Sequence, residues 1–279
     1  MTALLKALIL GLIQGITEFL PVSSSGHLVI FQALFKTELK ERLFFDVMVH
    51  MGTIVPLFIV FWQDIKGMLY AGAKFIFPGL RSRRGSPGWG EGKEADYLHL
   101  LKLVLVASLP TFLLAWLLRR PAAACFQSPI LAASMLILTG LMLFSVRKTA
   151  ALRGLREMKW SDALLIGALQ GLAIFPGISR SGMTICAGLL RGLKRPLAAR
   201  FAFLVAIPAV CAAVLYEGIK AVGSAGPSPV GQAVLGAGVA AVSGYIALKV
   251  IIKLVRRGEI SYFAYYLWIF GLLAIILQL

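Results

Sequence analysis

Six apolar stretches, each long enough to cross a bilayer, are the strongest constraint on the fold of this chain. The hydrocarbon core is about 30 Å thick, so a helix that crosses it needs about 20 mainly apolar residues. The stretches lie at roughly 44–64, 98–118, 129–147, 199–219, 229–252 and 261–279. Only 14% of the residues are charged, whereas soluble proteins carry about 25%. We therefore predict an all-α polytopic membrane protein with about six full transmembrane helices.

The net charge of +16 is concentrated in loops between these stretches. Basic loops of membrane proteins face the cytoplasm and contact anionic headgroups. This rule places the loops at 66–96, 147–160 and 253–258 inside, and those at 119–128 and 220–228 outside. No soluble basic module is present, so we expect contacts with membrane lipids and no nucleic-acid binding.

A fifteen-residue pattern occurs twice, as LIQGITEFLPVSSSG at 12–26 and as ALQGLAIFPGISRSG at 168–182. Each copy has an apolar run, a break containing Pro and Ser, and a second apolar run. Irregular backbone within a bilayer must be buried in protein or line a watery cavity. We therefore predict two re-entrant helical hairpins, at 1–36 and 161–193. The alternative is two ordinary hairpins that share a packing pattern.

The number of spans between the two copies sets their relative orientation. Three full spans separate them, so the second copy is predicted to be upside down, as in an inverted-topology repeat. The chain is then one integral membrane domain over 1–279, with repeat one at about 1–147 and repeat two at about 161–279. The first residues imitate a secretory signal, but their counterpart in the second copy predicts that they are retained.

Small residues recur one helical turn apart in both copies. Gly11 and Gly15 correspond to Gly167 and Gly171. Such spacing lets helices approach closely. It predicts that the two hairpins pack against each other.

The first copy carries a carboxylate at membrane depth, where ionisable groups are costly and usually functional. Gln14 and Glu18 are four residues apart and share a helix face. Carboxylate and amide oxygens suit a hard divalent cation such as Mg²⁺ or Ca²⁺. We predict a metal site on these two residues. The alternative is a buried polar pair that hydrogen-bonds across helices.

A serine-rich turn follows this helix. Ser23, Ser24, Ser25 and Gly26 can offer hydroxyl and backbone N–H donors to a phosphate. His27 comes three residues after Ser24, so the two side chains can approach each other on one turn. Ser24 could then act as a nucleophile with His27 as its base, or His27 could attack phosphorus itself. The alternative is that the serines merely cap a helix.

The second copy has a cation in the equivalent loop. Arg180 matches phosphate oxygens bidentately and stays charged at working pH. Ser179, Ser181 and Thr184 surround it and are predicted to bind phosphate. The inverted repeat would bring this loop to Glu18, Ser24 and His27. The alternative is that Arg180 is a cation at the cytoplasmic surface.

Other polar and aromatic residues are predicted to have structural roles. His50 is predicted to be a packing histidine with satisfied hydrogen bonds. Tyr262, Tyr265, Tyr266 and Trp268 are typical of an aromatic belt at a membrane interface.

Gln14-xxx-Glu18 followed by PVSSSGH at 21–27, together with PGISRSGMT at 176–184, resembles the two signatures of a known family. This is the bacterial undecaprenyl pyrophosphate phosphatase family of the bacitracin-resistance type. The resemblance covers nearly the whole chain in length, signatures and hydropathy. It implies that Glu18, Ser24, His27 and Arg180 occupy essential positions. Gln14 stands where some members have glutamate, which removes one anionic ligand.

The resemblance implies hydrolysis of undecaprenyl diphosphate to undecaprenyl phosphate and inorganic phosphate. This would recycle the lipid carrier of peptidoglycan synthesis and confer bacitracin resistance. It also implies a divalent cation, a place in the bacterial inner membrane and an active site open to the outer face. The alternative function is a lipid-phosphate transporter or flippase, because inverted repeats with broken helices are a transporter device. The sequence leaves open whether the chain forms a homodimer.

Overall fold

The computed structural model of the chain describes residues 2–35, 39–77, 91–224 and 230–277. Within these ranges the backbone forms α-helices, two short 3₁₀ helices at Leu155–Glu157 and Glu259–Tyr262, and no β-strand. The α-helices are α1 (Ala3–Phe19), α2 (Ser24–Leu34), α3 (Leu39–Val60), α4 (Trp62–Ile76), α5 (Glu91–Cys125), α6 (Pro129–Ser145), α7 (Trp160–Leu172), α8 (Arg180–Leu190), α9 (Arg195–Ser224), α10 (Val230–Arg257) and α11 (Phe263–Ile276).

Four helices in the described part of the chain are long and apolar enough to cross a membrane, judged by length and composition. They are Gly92–Cys125, Arg195–Tyr216, Val230–Arg257 and Glu259–Ile276. A fifth results if Phe44–Val60 and Trp62–Ile76, which are bent by 75°, count as one span. The predicted stretch at 129–147 forms the shorter apolar helix Pro129–Ser145. The prediction of an all-α polytopic membrane protein is confirmed.

The distribution of large apolar side chains fits a protein surrounded by lipid. Leu109, Leu113 and Trp116 of α5 are exposed on the outer surface of the bundle. Phe201 and Leu204 of α9 are in contrast almost fully buried. Helix α9 therefore lies in the centre of the bundle, and helices such as α5 present one apolar face outward.

Two pairs of short helices form where the sequence repeats. Helices α1 and α2 flank a break at 20–23, and α7 and α8 flank a break at 173–179. Each break contains a proline, which cannot continue the preceding helix ladder. The helix–break–helix form predicted for both copies is present. Their depth and direction in a membrane, and the division into two repeats, stay predictions.

The paired glycines contact long helices and not the opposite hairpin. A Cβ on Gly15 would lie 2.6 Å from the carbonyl oxygen of Ala240 in α10. A Cβ on Gly167 would lie 1.9 Å from the carbonyl oxygen of Ala107 in α5. The prediction that these glycines pack the two hairpins together is therefore wrong. They let the backbone of α1 pack directly against that of α10, and the backbone of α7 directly against that of α5.

The open ends of the two hairpins are held very differently. The fully buried Asp162 at the start of α7 accepts bonds from Arg153 Nη2 at 2.7 Å and Arg191 Nε at 2.6 Å. Arg191 directly follows α8, so these ion pairs tie the two helices of the second hairpin together. In the first hairpin, Lys6 Nζ donates to the carbonyl oxygen of Phe35 at 3.0 Å.

Candidate active site

The two breaks meet through serine hydroxyls. Ser23 Oγ accepts the backbone N–H of Gly177 at 3.1 Å and of Gly26 at 3.3 Å. From the other side, Ser181 Oγ donates to the carbonyl oxygen of Leu20 at 3.2 Å. Loops more than 150 residues apart in sequence are thus joined at one junction. The predicted meeting of the two copies at their breaks is observed.

Both breaks contain backbone in the positive-φ region. Ser23 has φ 66°, and it is the non-glycine residue with positive φ in the described chain. Such a conformation costs about 1–3 kcal/mol and persists only where the surroundings hold it. Gly177 has φ 95°, and a Cβ there would lie 2.1 Å from the carbonyl oxygen of Ala132. The second break therefore requires glycine, whereas the first forces a serine into strain directly before Ser24.

Helices α2 and α8 begin at this junction with the same cap. Ser23 Oγ accepts from Gly26 N, and Ser179 Oγ accepts from Gly182 N at 3.1 Å. The helix starts are the positive ends of their dipoles, which favour an anion. The alternative that the first serine run caps a helix is observed for Ser23, and Ser179 caps α8 in the same way. This capping is compatible with a phosphate-binding role.

Glu18 is the centre of the polar cluster at the junction. Its carboxylate, 6% exposed, pairs with Arg180, whose Nη2 lies 3.1 Å from Oε1. Oε2 accepts a 2.6 Å bond from Ser24 Oγ and a 2.9 Å bond from Gln14 Nε2. His50 Nε2 lies 3.9 Å from the same oxygen. The structure thus brings Gln14, Glu18, Ser24 and Arg180 together, as the sequence predicted.

His27 belongs to a different set of contacts from Ser24. Its Nδ1 lies 2.8 Å from the carbonyl oxygen of Ser23, and its Nε2 lies 2.7 Å from Tyr266 Oη. Ser24 donates instead to Glu18. The expected pairing of Ser24 with His27 is therefore replaced by a pairing of Ser24 with Glu18.

The remaining predicted phosphate ligands lie around the same junction. Ser25 Oγ is 3.3 Å from Ser23 Oγ, and Ser181 Oγ is 3.2 Å from Ser179 Oγ. Thr184 Oγ1 donates to the carbonyl oxygen of Arg180 at 2.8 Å, within its own helix. Ser25 and Ser181 are thus hydroxyls at the helix starts, whereas Thr184 lies one turn further along α8.

Sequence reasoning missed two residues of this region. His50, interpreted as a packing residue, has its imidazole beside Glu18. The available signal was an ionisable group in an apolar stretch. Tyr266, interpreted as part of an aromatic belt, reaches His27. No local signal marks Tyr266, because its partner is 239 positions away.

A pocket opens on one side of the Glu18–Arg180 ion pair. Its polar end consists of Glu18, Arg180 and Ser181. Its other walls come from α3, the end of α1 and the middle of α9 and are apolar: Phe19, Leu57, Ala202, Phe203, Ala206 and Val210. The pocket therefore has charged and polar groups at one end and apolar walls along the rest.

Oxygen atoms at the junction suit a hard cation. Gln14 is fully buried, and its Oε1 has no hydrogen-bond partner. This orphaned oxygen belongs to the residue whose Nε2 contacts the Glu18 carboxylate. The described residues contain no group of three or more His, Cys, Asp or Glu able to hold a metal. The residues therefore fit Mg²⁺ or Ca²⁺ held by few protein ligands, with water or substrate oxygens completing the coordination.

Comparison with known proteins gives matches over nearly the whole chain. The family described as "Bacitracin resistance protein BacA" matches residues 7–273. An undecaprenyl-diphosphatase of Desulfosudis oleivorans is 41% identical over 268 residues, which is 96% of each chain. That of Desulfatibacillum aliphaticivorans is 39% identical over 270 residues, also 96% of each. That of Halothermothrix orenii is 38% identical over 275 residues, which is 98% of this chain and 97% of the relative. The chain belongs to the bacitracin resistance protein BacA family.

Proposed function

We propose that this protein is an undecaprenyl-diphosphate phosphatase, which releases the terminal phosphate of the lipid diphosphate and leaves undecaprenyl phosphate. The main structural support is the buried cluster in which Glu18 contacts both Ser24 and Arg180. A carboxylate, a hydroxyl nucleophile and a guanidinium are the groups that phosphoryl transfer needs. The relatives' names agree with this chemistry. They do not favour the transporter alternative.

Ser24 is the proposed nucleophile. Its Oγ forms a bond to the terminal phosphorus while the bond from that phosphorus to the bridging oxygen breaks. The electron pair leaves on undecaprenyl phosphate, and the hydroxyl proton passes to Glu18 Oε2, 2.6 Å away. Water then hydrolyses the phosphoserine and regenerates Ser24. Direct attack by His27 is the weaker alternative, because both of its ring nitrogens have other partners.

Arg180 is the proposed phosphate clamp. It lies beside the pocket and is paired with Glu18. A diphosphate entering the pocket offers more negative charge than one carboxylate, so the guanidinium can exchange its partner. The N–H groups at the starts of α2 and α8, with Ser23, Ser25, Gly26, Ser179 and Ser181 around them, add further donors.

Glu18 and Gln14 are the proposed ligands of a divalent cation. Their support is the carboxylate of Glu18 and the unpartnered, buried Oε1 of Gln14. When bound, such an ion supplies Lewis-acid stabilisation of charge on phosphate oxygens. Gln14 is neutral, so this site carries one protein charge fewer than a pair of glutamates.

The lipid part of the substrate has an apolar path. The pocket walls on α3 and α9 are apolar, and the helices around them expose apolar side chains to lipid. We place the isoprenoid chain along these walls, within the bilayer. We also propose a bacterial inner-membrane location with the site open to the outer face. The distribution of basic loops supports the orientation of the chain, and the opening of the site to the outer face is what the resemblance to the family implies.

Phosphate release from undecaprenyl diphosphate by the purified protein in detergent tests this function. We expect release with Mg²⁺ or Ca²⁺, its loss in excess chelator, and its loss in Glu18→Gln and Ser24→Ala. Ser134→Ala, at an exposed serine of α6, is the matched control and should keep full activity. Detergent removes the two sides of the membrane, so a pure transporter would release no phosphate. Absence of release by folded protein with either cation would refute the proposal.

A further inference from the structure

Tyr266 of α11 lies in an aromatic run of the sequence. It contacts the hairpin that carries the proposed nucleophile. Its hydroxyl lies 2.7 Å from His27 Nε2. The His27 ring is 2% exposed and stacks on Phe270, with ring centroids 4.5 Å apart and planes 6° from parallel. Tyr266 in turn stacks on Phe270 at 5.7 Å. The imidazole therefore sits in a fixed orientation between α2 and α11.

The partners of His27 determine where its proton lies. The carbonyl oxygen of Ser23 can only accept, so His27 Nδ1 carries the hydrogen of this 2.8 Å bond. In the neutral ring Nε2 is then an acceptor. Tyr266 Oη–H is its donor. The lone pair of Nε2 is thus occupied by the tyrosine, and the hydroxyl of Ser24 bonds to Glu18.

The hydrogen bond from His27 Nδ1 is accepted by Ser23, a residue with strained backbone. Ser23 has φ 66°, and its peptide immediately precedes Ser24. Its carbonyl oxygen accepts both the backbone N–H of His27 at 3.2 Å and the side-chain bond from Nδ1. Its hydroxyl binds Gly177 N in the opposite break. Contacts on both sides of Ser23 thus offset the strain and fix the direction in which Ser24 leaves the turn.

We propose that Tyr266 is a positioning residue: its hydroxyl holds His27 in the Nδ1–H tautomer, and His27 thereby holds Ser23 and orients Ser24 toward Glu18. This inference rests on the proposed function in one respect, the role of Ser24 as nucleophile. The hydrogen-bonded chain from Tyr266 through His27 to Ser23 does not depend on it. A residue of a membrane-facing helix would then complete the site built by the two hairpins.

Tyr266→Phe tests the proposal with the smallest change, because it removes the hydroxyl and keeps the stacking ring. We expect kcat for phosphate release to fall about tenfold while KM stays within about twofold, since the lost bond orients a reacting group and does not contact substrate. Tyr265→Phe is the matched control, because that ring packs on Phe144 and Trp268. It should leave both constants unchanged. An unchanged kcat in Tyr266→Phe would overturn the proposal.

Variants of His27, alone and combined with Tyr266→Phe, separate positioning through His27 from a general disturbance of α11. His27→Asn keeps an N–H near the place of Nδ1 and loses Nε2, whereas His27→Gln places its amide near Nε2. We expect His27→Asn to be the more active of the two. Adding Tyr266→Phe to His27→Asn should lower kcat no further, because the two residues act in one chain. A further tenfold loss would show that Tyr266 acts independently of His27 and would contradict the proposal.

Solid-state NMR of isotope-labelled histidine in lipid tests the contact without any activity. The chain has three histidines, and the signals that disappear in His27→Asn identify His27. We expect a protonated Nδ1 and a hydrogen-bonded, unprotonated Nε2, and a shift of Nε2 in Tyr266→Phe but not in Tyr265→Phe. A protonated Nε2, or no shift, would refute the contact. If the protein releases no phosphate but the NMR result holds, the proposed function fails and the contact stands.

Discussion

Arg180 Nη2 lies 3.1 Å from Glu18 Oε1, across 162 positions of sequence. The carboxylate is nearly inaccessible and the guanidinium is about one quarter exposed, so the pair lies where the pocket meets the protein interior. Removing one member of a buried ion pair leaves the other uncompensated. In the proposed mechanism, substrate phosphate replaces Glu18 as the partner of the Arg180 guanidinium.

Substitution of Arg180 should lower turnover strongly and should also reduce stability, because the buried Glu18 carboxylate loses its charged partner. We expect Arg180→Ala to lower kcat about a thousandfold, because an arginine that stabilises a transferring phosphoryl group contributes at least that much. Arg180→Lys should recover part of the loss, since it restores the charge without the planar fork. Phosphate-release kinetics measure both. Arg256→Lys, at an exposed arginine of α10, is the control, and full activity in Arg180→Ala would exclude the clamp.

Gln14 should limit the affinity for the cation. Gln14→Glu adds a second carboxylate beside Glu18, so we expect the half-saturating concentration of Mg²⁺ or Ca²⁺ to fall by about tenfold, as ligand charge increases affinity for hard cations. Gln170→Glu introduces the same change at the repeat-related position. Gln170 lies in a different environment, against Thr111 and the carbonyl oxygen of Val205, and should leave the cation dependence unchanged. An unchanged value in Gln14→Glu would remove Gln14 from the metal site.

Gly177 should tolerate no side chain. Gly177→Ala combines φ 95° with a Cβ 2.1 Å from the carbonyl oxygen of Ala132, so we expect a loss of about 2 kcal/mol or more in unfolding free energy. Unfolding in detergent measures this change. Gly238→Ala is the control, because a Cβ there meets nothing within 4 Å. Equal stability of the two variants would show that the second break is not held in this conformation.

Asp162 should anchor the second hairpin. Asp162→Asn weakens the charge-assisted hydrogen bonds from two partly exposed arginines to a buried group, and we expect destabilisation by about 2 kcal/mol. Asp96→Asn breaks a pair with Arg156, whose side chain is 75% exposed, and should change stability by less than about 1 kcal/mol. Thermal unfolding of both variants in the same detergent makes the comparison. Similar losses would contradict an anchoring role for Asp162.

The helix–break–helix units and the meeting of Glu18 and Arg180 at one site could be predicted from the sequence. Both depend on features that a single sequence shows: the length of apolar stretches, proline breaks, a constant repeat offset, and charges in apolar surroundings. The repeat also indicated that the breaks meet, because equivalent irregular segments in lipid need a shared protein environment.

The partners of individual side chains could not be predicted in the same way. The glycines of α1 and α7 permit close packing but do not specify against which helix, and they contact α10 and α5. Ser24 and His27 are near enough in sequence to pair, yet the positive φ of Ser23 turns Ser24 toward Glu18. Tyr266 carries no local signal, because its role depends on where α11 packs. Helix spacing constrains which side chains can meet, whereas backbone direction and tertiary packing decide which do.

Trapping of the phosphorylated enzyme tests the central claim, that Ser24 attacks and passes its proton to Glu18. Protein mixed with undecaprenyl diphosphate carrying a labelled terminal phosphate is quenched within one turnover, and the labelled residue is identified by peptide mapping. We predict acid-stable label on Ser24, absent from Ser24→Ala and strongly reduced in Glu18→Gln. Acid-labile label on His27, or label that persists in Ser24→Ala, would contradict the account.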